Sequence, residues 1–420
     1  MVKFPLIFKQ KLHLLLFFLL SCYTAFSSYI NAPVTDTFHE GEYLGSLWHM
    51  KAYYNGLARF PLLVHGGMDY IPSVIAEYIF GPNAVIVGTR IMLLIISSIY
   101  YFLFLDICHL LIKEQNRNWI WTTALVILFY YFAPHLNSSV IDVAYFPIRD
   151  VFLFLTIWCF MRSVKTKGLK ASIFSVIGSV STAFAFFWCY NRGVMTIAFF
   201  AFVMFGLYIK NRCFVSIILS VGSALLCLAL LDAAMIFGTF KENSLNIIYW
   251  LTNEAKINTG PSALKDLPGY LGFIVLTIFA LSTFFTLWRA RHKIKNDNIN
   301  LFVVTASLGI IQLLLIKINY HGGGSLYAFN SGWPSIFVLF YLGSRLLRVS
   351  IKTSISALEN TEFFPCSEIR GSIRLFKLSV KAFLVFMVIA SPSIFYYSRF
   401  VKKLIVPCPD KQLVSIDMLY

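Results

Sequence analysis

No metal-type spacing and no disulfide framework links the eight cysteines of this chain. Cys22, Cys108, Cys159, Cys189 and Cys227 are scattered through apolar runs, and Cys408 stands alone near the end. A zinc module or a stapled secreted scaffold is therefore excluded. No polar stretch is long enough to house a soluble nucleotide-binding domain. No clear repeat relates the two halves, and only Asp106 and Asp232 lie well inside apolar runs. A transporter built from paired repeats, or a proton pump lined with carboxylates, would carry more of both.

What is present is apolar. Hydrophobic residues make up 58% of the 420, and mean hydropathy is +0.74. Soluble domains hold about 45–50% apolar residues. Runs of about 18 or more apolar residues recur along the chain, the length a helix needs to cross a hydrocarbon core roughly 30 Å thick. The helix also satisfies its own backbone hydrogen bonds in lipid. The expected fold class is all-α: a single integral membrane domain over 1–420, a polytopic transmembrane bundle of about 11 spans. The spans are placed at roughly 11–30, 84–112, 119–134, 145–162, 172–189, 193–209, 214–237, 268–288, 299–318, 333–349 and 378–398.

The net charge of +16 invites a nucleic-acid reading, which is rejected. Roughly 22 of the 35 basic residues fall in one alternating set of short loops, the pattern of topology signals. That set is expected to face the cytoplasm, giving an inner amino terminus and an outer carboxyl terminus. The basic start followed by an apolar run could also be read as a cleaved leader, but its small-residue cleavage pattern is poor and an uncleaved first span is expected.

The outer face is where charge has no topological reason to gather. Its longest segment, 31–83, is the first outer loop. It is too aromatic for disorder and too long for a mere connection. Its spacing predicts an interfacial helix from Glu42 to Leu57, with Leu44, Leu47, Trp48 and Tyr54 on its apolar face, and a second short helix from Pro72 to Phe80. Asp36, His39, Glu40 and Glu42 cluster before the first helix. Carboxylates there can cap a helix start. Near low-dielectric lipid they can also serve as a general base, and Asp36, Glu40 and Glu42 are the catalytic candidates.

His65-Gly66-Gly67 with Asp69, and His321-Gly322-Gly323-Gly324, are glycine turns beside a histidine. They are plain punctuation or places where backbone approaches a ligand closely. Arg90, Arg149, Arg192, Lys317, Lys402 and Lys403 lie at outer span ends. Such cations either snorkel to the interface or hold a phosphate at the membrane surface. Arg149 and Asp150, as neighbours, are expected to take different partners. Asp106 is expected to snorkel at the inner end of its span, and Asp232 to pair helices or relay a proton.

This layout resembles the GT-C superfamily of membrane glycosyltransferases. The stretches FHEGEYLG, RFPLLVHGGMDYIP and IFGPNAVIVGTR, together with the outer Lys402-Lys403 tail (399–420), carry the resemblance. Size, the acidic first outer loop and the lysine pair are also similar to phage-type serotype-converting O-antigen glucosyltransferases. The resemblance implies a bacterial inner-membrane enzyme that takes a sugar, glucose in that subgroup, from a polyprenyl-phosphate donor. It passes the sugar to a glycan acceptor on the periplasmic face by inverting transfer. Asp36 or Glu40 would deprotonate the acceptor. Arg149, Arg192 or the lysine pair would meet the departing phosphate, and His39, His65 and His321 would position sugar hydroxyls. No cofactor is implied, although Asp36, His39, Glu40 and His65 also form a donor set for a divalent cation. A glycan polymerase or ligase, or a flippase, are the competing readings. A polymerase or ligase would carry its large outer loop late in the chain, and here it is early.

Overall fold

The computed structural model describes residues 6–30, 37–112, 146–211 and 214–257, with helical positions at 304, 307, 308, 311, 333, 334 and 337. Those residues are helical throughout apart from turns and short loops. The elements are α1 (Leu6–Ile30), α2 (Thr37–Tyr54), a 3-10 turn (Gly67–Asp69), α3 (Ile71–Phe80), α4 (Val85–Leu111), α5 (Phe146–Lys165), α6 (Leu169–Trp188), α7 (Tyr190–Asn211), α8 (Phe214–Ala234) and α9 (Phe240–Ile257).

Five stretches are long and apolar enough to cross a bilayer: His13–Ile30, Pro82–Leu111, Leu169–Trp188, Tyr190–Leu207 and Ile217–Ala234. Each coincides with a span expected from hydropathy. The sixth expected span in this region, α5, has the length but carries Arg149 and Asp150 near its start and Arg162 and Lys165 in its last turn. The spans expected at 119–134, 268–288 and 378–398 lie outside the described residues, as do Asp36, His321, Lys317, Lys402 and Lys403. The count of eleven and the inside-outside orientation rest on the sequence pattern alone.

Packing follows connectivity. α5 lies against α4 and α6, α4 against α1 and α3, and α6 against α7 and α8. The central core is aromatic. Tyr100 and Phe104 of α4 meet Phe154 of α5, and Trp333 and Phe337 close over it. Val304, Leu308 and Ile311 are buried in the same core at helical spacing.

Asp106 is corrected by the structure. It does not snorkel: it is fully buried in α4 and accepts hydrogen bonds from Trp158 Nε1 and Arg162 Nη2, both at 2.5 Å. A charge so deep in a helix bundle is held only by such partners. On the last turn of α4, His109 stacks on His13 of α1 with centroids 4.3 Å apart.

The two helices expected in the first outer loop are present, with one adjustment. α2 runs Thr37–Tyr54, so it starts five residues before the expected Glu42. Its inward face is Tyr43, Leu47 and Met50, while Trp48 and Tyr54 are exposed. The apolar face is rotated from the expected one because α2 packs on the 3-10 turn and α3 rather than lying on lipid by itself.

Candidate functional site

The ends of α4, α5, α6 and α7 that meet the 37–84 segment gather most of the charged residues singled out from sequence. Tyr43 of α2, Met68 of the 3-10 turn, Leu93 of α4, Ile148 and Val151 of α5 and Trp188 of α6 form one buried apolar cluster among them. Trp188 Nε1 donates to the Ile148 carbonyl at 2.7 Å and fixes the end of α6 to the start of α5. The charged groups are mounted around this apolar base.

His65, Asp69 and Arg149 come together there. The Asp69 carboxylate takes the His65 backbone N–H and the His65 Nδ1, each at 2.9 Å. Arg149 Nη2 lies 2.7 Å from His65 Nε2. A guanidinium only donates, so Nε2 accepts and Nδ1 carries the proton toward Asp69. The result is a carboxylate–imidazole–guanidinium chain in which each ring nitrogen has one role. His65 and Asp69 are close in sequence, whereas Arg149 reaches them from α5, 84 residues on.

The loop is held against the bundle by its backbone. Tyr190 N–H donates to the His65 carbonyl at 2.8 Å. Gly66 has φ 125°, and a Cβ there would stand 2.8 Å from the Phe187 carbonyl oxygen. Only glycine both adopts that conformation and allows the approach. Gly193, in the first turn of α7, is equally tight, with a Cβ placed 2.6 Å from Phe186 Cα. Gly193→Ala is expected to destabilise the protein by about 1–3 kcal/mol through overpacking. A thermal unfolding scan in detergent measures this, and an unchanged midpoint would show that the helix end yields freely.

Asp150 and Arg192 form a second unit. Arg192 Nε lies 2.5 Å from Asp150 Oδ1, and both side chains are 1% exposed. Arg192 Nη1 also reaches Met195 Sδ at 3.7 Å. Arg149 and Asp150 thus take different partners, as expected. Arg192, expected as a phosphate-binding cation in an outer turn, is instead buried against a carboxylate.

Glu40 and Arg90 form the third. Arg90 Nε donates to Glu40 Oε1 at 2.6 Å, bridging the first turn of α2 to the start of α4. Together with Tyr43, Leu44, Ile86 and Thr89 they line a narrow cleft between the two helices. Glu42, two residues on, is partly buried and faces another direction round the helix. His39 lies within α2, with its side chain outside the described residues. Among the described residues no three of His, Cys, Asp or Glu are grouped to hold a metal ion. His65 and Glu40, two members of the expected donor set, are each engaged by an arginine.

Sequence reading missed α9. Thr239 and Glu242 start it with a reciprocal capping box: Glu242 N–H donates to Thr239 Oγ1 at 3.2 Å, and Thr239 N–H donates to Glu242 Oε2 at 3.0 Å. The T-x-x-E spacing was the signal available. Asp232 of α8, expected to pair helices or relay a proton, accepts the Phe240 N–H at the same helix start and so links α8 to α9. Glu242 also accepts from the Tyr53 hydroxyl at 3.0 Å. Burial, followed by this carboxylate, pushes Tyr53 up to about 12, so it donates as a neutral phenol. Tyr190 donates to Asn243 Oδ1 at 3.0 Å and accepts from Asn246 Nδ2 at 3.3 Å. These bonds tie α9 to α2 and α7. Thr239→Ala is expected to cost about 0.5–2 kcal/mol. Faster amide exchange confined to the first turn of α9 would report it.

No family model matches the chain, and no curated protein and no solved structure matches it.

Proposed function

We propose that the chain is a glycosyltransferase of the bacterial inner membrane. It transfers a sugar from a polyprenyl-phosphate donor to a glycan acceptor at the non-cytoplasmic surface. The observation that carries this reading is the Asp69–His65–Arg149 chain, which presents an oriented guanidinium at the bundle end where the 37–84 segment docks. Such a group suits a phosphate that gains charge as it leaves. The five apolar spans supply the lipid setting in which a prenyl donor is soluble.

In this mechanism a carboxylate takes the proton of the acceptor hydroxyl. The hydroxyl oxygen attacks the anomeric carbon, the bond from that carbon to the phosphate oxygen breaks, and the polyprenyl phosphate departs with the bonding pair. The anomeric centre inverts. We assign the base to Asp36, one residue before α2. Glu40 is engaged by Arg90 and acts by fixing the first turn of that helix. Arg149 meets the leaving phosphate. Asp150 and Arg192 hold the scaffold from within.

The test is genetic and chemical together. Deleting the gene should remove one sugar from a surface glycan without shortening the glycan, and the wild-type chain should restore it. Asp36→Asn should fail to restore it while reaching the membrane in normal amount. Full restoration by Asp36→Asn and by Arg149→Ala would end the assignment. Shortened glycan chains would instead identify a polymerase.

A further inference from the structure

α9 packs inward through two asparagines and Ile247, the latter in an apolar cluster with Met50, Leu63, Tyr70 and Tyr190, and leaves most of its large apolar side chains outside. Its inward face carries Asn243 and Asn246, 1% and 6% exposed, in the hydrogen-bond network with Tyr190. Its outward face carries Leu245 and Ile248, each 57% exposed, and Tyr249 at 46%, with Phe240 at the corner at 45%. A water-facing surface helix places its polar residues the other way round.

Exposed apolar residues also run along the preceding helix and turn. α8, a candidate span, exposes Leu225, Leu226 and Leu230, and over Ile217–Ala234 only Ser220, Ala224 and Leu231 are buried. Met235 and Ile236 extend that surface through the turn into α9. The turn is pinned: Tyr54 hydroxyl donates to the Met235 and Ile236 carbonyls, and Tyr70 hydroxyl to Ile236. Met235 itself has φ 52°, a conformation side chains rarely adopt, and it is held by these bonds. The direction in which α9 leaves the span is therefore fixed. Among the described residues of α9, Lys241 is charged and exposed, one turn before Leu245 on the same side, and a lysine at that position can snorkel.

We propose that α9 is an in-plane membrane helix, with its Leu245–Ile248–Tyr249 face seated in lipid at the bilayer surface, continuous with the lipid-facing side of α8. The helix holds the tyrosine and asparagine network at the headgroup boundary from outside the bundle. This inference does not depend on which reaction the protein performs.

The experiment places a tryptophan on the face, Ile248→Trp, in the full chain reconstituted into phosphatidylcholine vesicles. The emission of the eight native tryptophans is subtracted using wild-type protein. Lipids brominated near the headgroup end of their acyl chains should remove roughly half or more of the added emission, and aqueous iodide little of it. Leu245→Trp repeats the measurement if the first variant does not fold. Quenching by iodide alone would place the face in water and overturn the proposal. Insensitivity to both quenchers would also overturn it, since the face would then be covered by protein, either another part of the chain or a second copy.

Discussion

Asp150→Ala is expected to be among the most damaging substitutions in the described part of the chain, at a cost of about 3–5 kcal/mol. The reason is the environment of its partner. Arg192 is 1% exposed with its Nε 2.5 Å from the carboxylate. Removing the carboxylate leaves a permanently charged guanidinium in a place where water does not hydrate it. Arg192→Ala should cost a similar amount by stranding Asp150. The double replacement Asp150→Leu with Arg192→Met should recover much of the loss, because apolar side chains of similar volume need no counter-charge there. Thermal unfolding in detergent, read for all three variants, decides the matter. A single variant melting like wild type would mean that the pair is hydrated. A double variant worse than either single one would mean that the pair does more than neutralise itself.

Under the proposed transferase mechanism, Arg149→Ala should leave a folded protein whose turnover falls by about 10²–10³-fold, the usual cost of losing one group that stabilises charge in the transition state. Arg149→Lys should recover little, because a point charge cannot make the directed contact with His65 Nε2 and face the phosphate as well. His65→Ala acts one step back. It leaves the guanidinium in place but unoriented, so the loss should be smaller and fall mainly on turnover. Asp69→Asn should resemble His65→Ala, since an amide offers one acceptor oxygen where the carboxylate uses two, one for the His65 backbone N–H and one for the ring. Transfer of labelled sugar from a polyprenyl-phosphate donor in proteoliposomes gives the turnover and the KM for the donor. Wild-type turnover in a well-folded Arg149→Ala protein would remove Arg149 from the mechanism.

The elements that lipid dictates were legible in the sequence. A run of apolar residues long enough to cross hydrocarbon has few alternatives to a helix, and α1, α4, α6, α7 and α8 coincide with their expected spans. α3 was legible too, since Pro72 near its start and Gly81 after its end punctuate it. What failed was direction. The spacing of α2 puts Leu47 and Trp48 on one lipid-facing side, whereas Leu47 packs inward and Trp48 does not. α9 is hard to read from composition because Asn243 and Asn246 face inward beside Ile247 while Leu245, Ile248 and Tyr249 face outward, so no single apolar stripe marks its packed side. A lone carboxylate in an apolar run, such as Asp106, shows no partner in the sequence and so reads as an interfacial residue. Arg162 and Trp158 lie more than fifty residues away, as the 56- and 52-residue separations record.

The site divides along the same line. The His65–Asp69 contact spans four residues and follows from a tight turn. The links to Arg149 and from Asp150 to Arg192 cross between helices. Sequence supplied the residues at both ends of each link but not the pairing, which tertiary packing decides.

Arg149 and Asp150 are consecutive on α5, and adjacent residues on a helix diverge by roughly 100°. One reaches His65 on the docked loop and the other reaches Arg192 at the start of α7. The two bearings fix the azimuth of the helix like a compass set on two landmarks. A single residue inserted between Asp150 and Val151 would leave the five apolar spans intact. Unless α5 rolled back by the same angle, it would swing both charges off their marks together, so neither anchor can be lost to such a slip without the other.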